Sequence, residues 1–230
     1  MPPRGKLIAF EGLDRAGKST QVARLATTLR AQGHSVRQLR FPDRSTPIGQ
    51  LIDAYLRGER ELNDRVAHLL FSANRWELVD TILAALAAGE TVILDRYYYS
   101  GLVYTLAKTT KDTTTSPTPT APTPPAITPA WALSPDTALP RPDLVLFLSI
   151  SAAAAAERAN YGAERFEEHG MQARVRALFG ALMRAGPEGA DFVEVDAAGG
   201  EEEVAERGRW RGCWRSGSGG RACECWALWR

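Results

Sequence analysis

The residues with the most chemical content lie near the start of the chain. Gly12-Leu13-Asp14-Arg15-Ala16-Gly17-Lys18-Ser19 fits the pattern G-x-x-x-x-G-K-[ST]. That spacing is built to hold phosphate. The glycines let consecutive backbone N–H groups turn inward around an anion. A helix opening near Lys18 aims the positive end of its dipole at the same point. Lys18 supplies a full charge for β- and γ-phosphates, and the Ser19 hydroxyl is a ligand for Mg2+. The pattern has meaning only between a strand and a helix. Both are expected: the apolar run Leu7-Ile8-Ala9-Phe10 reads as a buried strand, and residues 20–30 read as a helix.

A phosphate loop alone indicates a bound nucleoside triphosphate. No Asn-Lys-x-Asp segment for reading guanine and no His-Arg-Asp catalytic loop occurs in the chain. Single arginines instead stand beside turns and strand ends: Arg15, Arg44, Arg75, Arg96, Arg158 and Arg165. Guanidinium groups gathered in one site match several clustered anions, as two nucleotides with facing phosphates would provide. No functional role is assigned to His34, His68 or His169.

The elements that must carry these residues follow from hydrophobic period and punctuation. Strands are expected at 35–41, 91–94 with Asp95 at its end, 144–148 and 191–195. Helices are expected at 47–56, opened by Thr46 and Pro47, at 63–88 with Asn63 as N-cap and Gly89 as terminator, at 152–158 and at 172–183. Strands alternating with helices argue for a parallel sheet with right-handed crossovers. The expected fold class is therefore α/β: a three-layer P-loop NTPase fold with a five-stranded parallel sheet flanked by helices. One domain would span residues 5–204, with a short helical lid within 151–170.

Two stretches depart from this pattern. Residues 109–139 open with a run of Thr and Pro that lacks apolar periodicity, and the segment reads as a disordered insertion. Residues 205–230 concentrate Arg, Trp and Gly together with Cys213, Cys223 and Cys225, and read as an atypical disordered tail. Three late cysteines exclude a disulfide framework as the basis of the fold. With 230 residues, 44% of them hydrophobic, and a net charge of +1, the chain can bury one α/β core. The balanced charge gives no argument for nucleic acid or membrane as a partner. No apolar run reaches the roughly 18 residues of a membrane span. The short lead into the first strand leaves no room for a targeting signal, so cytoplasm or nucleus is expected.

Five ordered segments together resemble one family. Residues 10–20 (FEGLDRAGKST) resemble the first motif of thymidylate kinases, and 40–46 (RFPDRST) the second. Residues 70–77 (LFSANRWE) resemble the third, and Asp95-Arg96-Tyr97 with Ser100-Gly101 the fourth. Residues 158–167, with Tyr161-Gly162 and Glu164 to Glu167, resemble the mobile lid. An arginine inside the phosphate loop is the eukaryotic style of this family.

The resemblance implies transfer of a phosphoryl group from ATP to dTMP, with Mg2+, on the way to dTTP. It assigns Arg15, Lys18, Asp95 and Arg96 to catalysis, and Gly12, Arg15, Ala16, Gly17, Lys18, Ser19, Thr20, Arg158 and Arg165 to ATP. It assigns Asp14, Phe41, Arg44, Phe71, Arg75, Arg96, Ser100, Gly101, Tyr104, Phe166 and Gln172 to dTMP. Ser19 and Asp95 would hold the metal. Phe71 would stack on thymine and Arg75 would donate to a thymine carbonyl, four residues apart on one helical face. Tyr104 would crowd the sugar 2′ carbon. The partners implied are ATP, dTMP and a second copy of the chain, packed through long helices including 63–88. Phe166 stands where the family pattern has a tyrosine, Leu106 replaces a small residue, and the expected C-terminal helix breaks near Gly208. A kinase for another nucleoside monophosphate, or a nucleotide-binding protein impaired by its C-terminus, are the alternative readings.

Overall fold

The computed structural model describes residues 3–109, 125–151, 154–155, 165–166, 169–184 and 187–212. Five parallel strands form one sheet: β1 (Leu7–Gly12), β2 (Val36–Arg40), β3 (Thr91–Asp95), β4 (Leu144–Ser149) and β5 (Phe192–Asp196). Their order across the sheet is β2-β3-β1-β4-β5. β1 and β3 are buried along their whole length, as near-continuous apolar runs in a sheet covered on both faces must be. The register pairs Phe10 with Asp95, Arg40 with Asp95 and Gly12 with Leu148. The carboxyl ends of four strands therefore lie side by side at one edge. After β1 the chain moves to one side of the sheet, and after β3 it crosses to the other. This reversal opens the crevice where ligands of doubly wound sheets bind.

The covering helices are α1 (Lys18–Ala31), α2 (Pro47–Leu56), α3 (Asp64–Trp76), α4 (Val79–Ala87), α5 (Tyr98–Thr109), α6 (Pro129–Leu133), α7 (His169–Arg184) and α8 (Glu201–Gly212). Local chemistry explains their starts. The Thr46 hydroxyl accepts from Gly49 N–H at 3.0 Å with Pro47 in the first turn, and the Asn63 side chain accepts from Arg65 N–H at 2.9 Å. The core runs from the sheet into α1, α5 and α7, with Phe147 and Phe179 in ring contact at 4.9 Å.

Three expectations are corrected. The single helix expected at 63–88 is two helices, broken at Glu77 and Leu78, where Leu78 has φ −108° and ψ 2°. A distant residue anchors the break: Glu77 Oε2 accepts from Thr46 Oγ1 at 2.6 Å, and also from Asn74 Nδ2, one turn earlier, at 2.9 Å. The turn lets α4 bury Ile82, Ala85 and Leu86 in the sheet core while α3 packs on α2 and α5.

Residues 128–139, expected to continue a disordered insertion, are ordered. Thr128 caps α6, Ala132 is fully buried, and a 3-10 turn follows at Ser134–Asp136. Residues 110–124 lie outside the described residues. The tail, expected to be irregular from 205, instead continues α8 to Gly212, and residues 213–230 lie outside the described residues. Gly208 is buried inside the helix, one turn after buried Val204 and on the same side, facing Leu25 and Thr28 of α1. Of the expected lid, Ala154 and Ala155 are helical, Arg165 and Phe166 form a turn, and α7 begins at His169; the remainder lies outside the described residues. Among the described residues, no helix is long and apolar enough to cross a membrane.

A methyl group at Gly208 would meet nothing within 4 Å. Replacing a helical glycine by alanine removes backbone entropy from the unfolded chain, so Gly208→Ala raises stability by about 0.5–1 kcal/mol. A higher urea midpoint at unchanged slope is the expected result. A lower midpoint would show that the helix does not sit on α1 in this way.

Candidate active site

The phosphate loop is shaped by backbone conformations that the two glycines permit. Gly12 has φ 143°, and a Cβ there would fall 2.6 Å from the Leu148 carbonyl on the neighbouring strand. Gly17 has φ 87° and immediately precedes α1. Arg15 also lies in the left-handed region, at φ 62°, a conformation that costs energy for a non-glycine residue and clusters at functional sites. The Lys18 ammonium is buried against the loop and donates to the Leu13 carbonyl at 2.6 Å and the Gly12 carbonyl at 3.3 Å. Burial, with the nearby Arg96 charge adding to it, pushes Lys18 down to about 8. An anion in the loop would reverse that penalty.

A cleft of about 680 Å3 begins at this loop and runs across the carboxyl edge of the sheet. Asp14, Arg15, Ala16, Gly17, Lys18, Ser19 and Thr20 line its first part. Asp95 and Arg96, at the end of β3, line the middle, with Phe41 and Arg44 opposite. Phe71, Arg75, Ser100, Gly101, Tyr104 and Phe166 line the far part. Most of the residues assigned by resemblance thus meet in one continuous space. At the far part, the Phe166 ring centroid is 5.8 Å from Tyr104 and 6.1 Å from Tyr55.

Arg96 ties the two strand ends together. Its backbone is left-handed at φ 70°, and its N–H donates to the Phe10 carbonyl at 2.9 Å. Its guanidinium donates to the Gly12 carbonyl and the Ser100 hydroxyl, each at 3.1 Å, and to the Asp14 carboxylate. Asp14 also accepts from Tyr104 Oη at 2.9 Å and Gln172 Nε2 at 2.8 Å. Burial alone would raise the Asp14 pKa. The charges of Arg96 and Lys18 and these hydrogen bonds outweigh it and hold the carboxyl below its ordinary value. Ser19 Oγ donates to Asp95 Oδ2 at 2.5 Å, which places a hydroxyl and a carboxylate together at the mouth of the loop. Among the described residues no cluster of three or more His, Cys, Asp or Glu side chains could hold a metal alone. Any cation here would need phosphate oxygens or water to complete its shell.

Three of the assigned residues, among those described, stand apart from the cleft lining. The Gly12 carbonyl is spent on Lys18 and Arg96. Gln172 is 3% exposed and, besides its bond to the Asp14 carboxylate, accepts from Asp14 N–H at 3.1 Å; it holds Asp14 rather than lining the cleft. Arg165 pairs with Glu61 in the loop between α2 and α3 and covers the Tyr55 ring at 4.5 Å, away from the phosphate loop. Arg158 lies outside the described residues.

Other residues of the site were not singled out by sequence reasoning. Fully buried Glu11 accepts from Tyr97 N–H at 2.9 Å, Ser100 N–H at 3.1 Å and Ser100 Oγ at 2.5 Å, and so fixes the start of α5. Burial raises its pKa, an effect those bonds and Arg96 only partly offset. A carboxylate at the end of an apolar strand was a readable signal. Asp136 holds Arg75 in an ion pair with both side chains 3% exposed, and nothing in the proline-rich sequence around it announces that contact. Arg40, His68, Thr105 and Lys108 also line the cleft, and Arg40 Nε lies 3.6 Å from Asp95.

Comparison with known proteins agrees with this geometry. The family model for thymidylate kinase matches residues 10–207. Thymidylate kinase of Schizosaccharomyces pombe is 43% identical over 202 residues, covering 87% of this chain and 88% of that protein. The human thymidylate kinase is 44% identical over 181 residues, covering 79% and 78%. The solved structure of thymidylate kinase from Candida albicans superposes with a TM-score of 0.74 at 40% identity, covering 89% of each chain. With the phosphate loop, the arginine-lined cleft and this extent of likeness in agreement, the chain belongs to the thymidylate kinase family.

Proposed function

We propose that the chain transfers the γ-phosphoryl group of ATP to dTMP, giving ADP and dTDP on the route to dTTP. The observation that carries this reading is the single cleft joining the phosphate loop to the pocket of Phe71, Arg75 and Tyr104, with Arg15, Arg44 and Arg96 between. One end suits a triphosphate. The other suits a flat base beside a sugar. The distance between them is spanned by cations, where two phosphate groups would meet.

The attacking group is an oxygen of the dTMP phosphate, already anionic near neutral pH. It bonds to the γ-phosphorus as the bond to the β,γ-bridging oxygen breaks, and ADP leaves with the electron pair. No strong general base is needed, so alignment and charge neutralisation carry the rate. In this reading Lys18 and the loop N–H groups hold the β- and γ-phosphates, and Arg15 neutralises the group in transfer. Arg44 clamps the acceptor phosphate and Arg96 lies between the two. Asp14 faces the sugar 3′-hydroxyl, Tyr104 crowds its 2′ position, and Phe71 stacks on the base with Arg75 at a base carbonyl. Ser19 and Asp95 supply the hard oxygen donors that fit Mg2+ alongside phosphate, and a bound Mg2+ would neutralise charge on the β- and γ-oxygens. Arg158 and Arg165 would close over ATP when the lid folds down.

A homodimer fits the outer surface of the helices. Val66, Leu69 and Trp76 of α3, with Leu83 of α4, are 37–50% exposed. Val66, Leu69 and Trp76 fall close to one face by their spacing of three and seven residues. Action in cytoplasm or nucleus goes with the same reading, and cell fractionation tests it.

An ADP-release assay with ATP, Mg2+ and dTMP should show dTMP-dependent turnover. Arg15→Ala should lower kcat by about 10²–10³-fold while the dTMP Kd changes little, because that charge acts on the group in transfer. Equal losses in kcat and affinity would remove Arg15 from that role. In sedimentation, wild type should behave as a dimer of 25.1 kDa chains and Leu69→Asp as a monomer. A monomeric wild type would refute the dimer.

A further inference from the structure

The strap that follows the Thr/Pro-rich segment makes a buried ion pair with the helix that carries Phe71 and Arg75. We propose that Asp136 is a positioning residue for base recognition: it fixes the Arg75 guanidinium, and with it the turn of α3 that presents Phe71, so that the site distinguishes a pyrimidine carrying a 4-carbonyl from one carrying a 4-amino group. This rests on the reading above, in which Arg75 addresses a base carbonyl.

The geometry is that of a clamp. Asp136 Oδ1 accepts from Arg75 Nε at 2.9 Å, and Oδ2 accepts from Nη2 at 2.6 Å, a two-point pairing that sets the plane of the guanidinium as well as its place. Two of the five donors of Arg75 are used this way, and the others remain for the far side. Oδ1 also accepts from Ser72 Oγ at 2.7 Å, so one carboxylate holds two residues of the Phe71–Arg75 turn, Ser72 next to Phe71 and Arg75 itself. Arg75 is 2% exposed and Asp136 6%, and both are shielded from competing water. From the opposite side, Gly101 of α5 makes room: a Cβ there would fall 2.8 Å from Arg75 Nη2 and 3.0 Å from Nη1.

The strap is itself anchored. Trp76 Nε1 donates to the Pro135 carbonyl at 2.7 Å, and the Trp131 ring lies 5.2 Å from that of buried His68 on α3. A base carbonyl accepts hydrogen bonds, whereas an amino group at the same position donates them. A guanidinium held rigidly as a donor therefore rewards the first and opposes the second.

The test compares dTMP with dCMP. Asp136→Asn keeps size and removes the charge and one acceptor. It should raise KM for dTMP by about 10–100-fold and lower the dTMP over dCMP preference in kcat/KM by about tenfold or more, while KM for ATP stays within about twofold. Ser72→Ala, which removes one hydrogen bond to Asp136 and leaves the ion pair, should move the same preference by a smaller factor; it decides the matter if Asp136→Asn does not fold. Arg75→Met separates the two layers of the argument. If Arg75→Met loses the preference and both Asp136→Asn and Ser72→Ala keep it, positioning by Asp136 is overturned. If Arg75→Met itself keeps the preference, recognition of the base by Arg75 fails, and this inference falls with it.

Discussion

The structure depends on one guanidinium at the seam between two strands. β1 and β3 each end at the edge of the sheet, where the ladder stops and the chain turns away. Arg96, one residue beyond β3, donates to the carbonyl of Gly12 at the end of β1 and to the carboxylate of Asp14 in the phosphate loop. Its left-handed backbone turns its N–H onto the Phe10 carbonyl. This conformation is costly for an arginine, and the surrounding hydrogen bonds hold it in place. Together with the Tyr104 hydroxyl, which donates to the same Asp14 carboxylate, that link ties the phosphate loop to α5 independently of the sheet.

The rest of the site extends this arrangement in two directions. Toward the phosphate loop, Asp14 is held by Arg96, Tyr104 and Gln172, so elements far apart in sequence converge on one carboxylate. Toward the far part of the cleft, Glu11 fixes the first turn of α5, and Asp136 fixes Arg75 on α3. Charged groups are buried at each of these points, and each has a partner, as burial of charge requires. Electrostatic preorganisation here is a property of the folded network.

Much of this could be read from the residues. The phosphate loop needs glycines and a lysine at fixed spacing, and apolar runs mark the strands because both faces of the sheet are covered. The start of α2 follows from Thr46 and Pro47, and that of α3 from Asn63, by local hydrogen bonding. What stayed hidden was set by distant contacts. The break between α3 and α4 is invisible to periodicity, because Ile82 and Leu86 continue the apolar pattern. The cause is Glu77, held by Thr46 from another element. Asp136 sits among prolines that suggest disorder, yet it closes an ion pair with a residue 61 positions earlier. Nothing in its place after the lid announces that the Gln172 side chain holds Asp14. Gly208 was expected to end a helix, but its lack of a side chain is tolerated where the helix lies against α1.

If fixed placement of positive charge drives the transfer, charge without that placement should not suffice. Arg96→Lys keeps the charge and loses the planar fork that reaches two partners at once. With dTMP and ATP saturating and the fold verified by its urea midpoint, kcat should fall by about 10²-fold or more. A lysine variant with nearly full turnover would contradict the account, because it would show that the cleft needs only a cation and not this geometry.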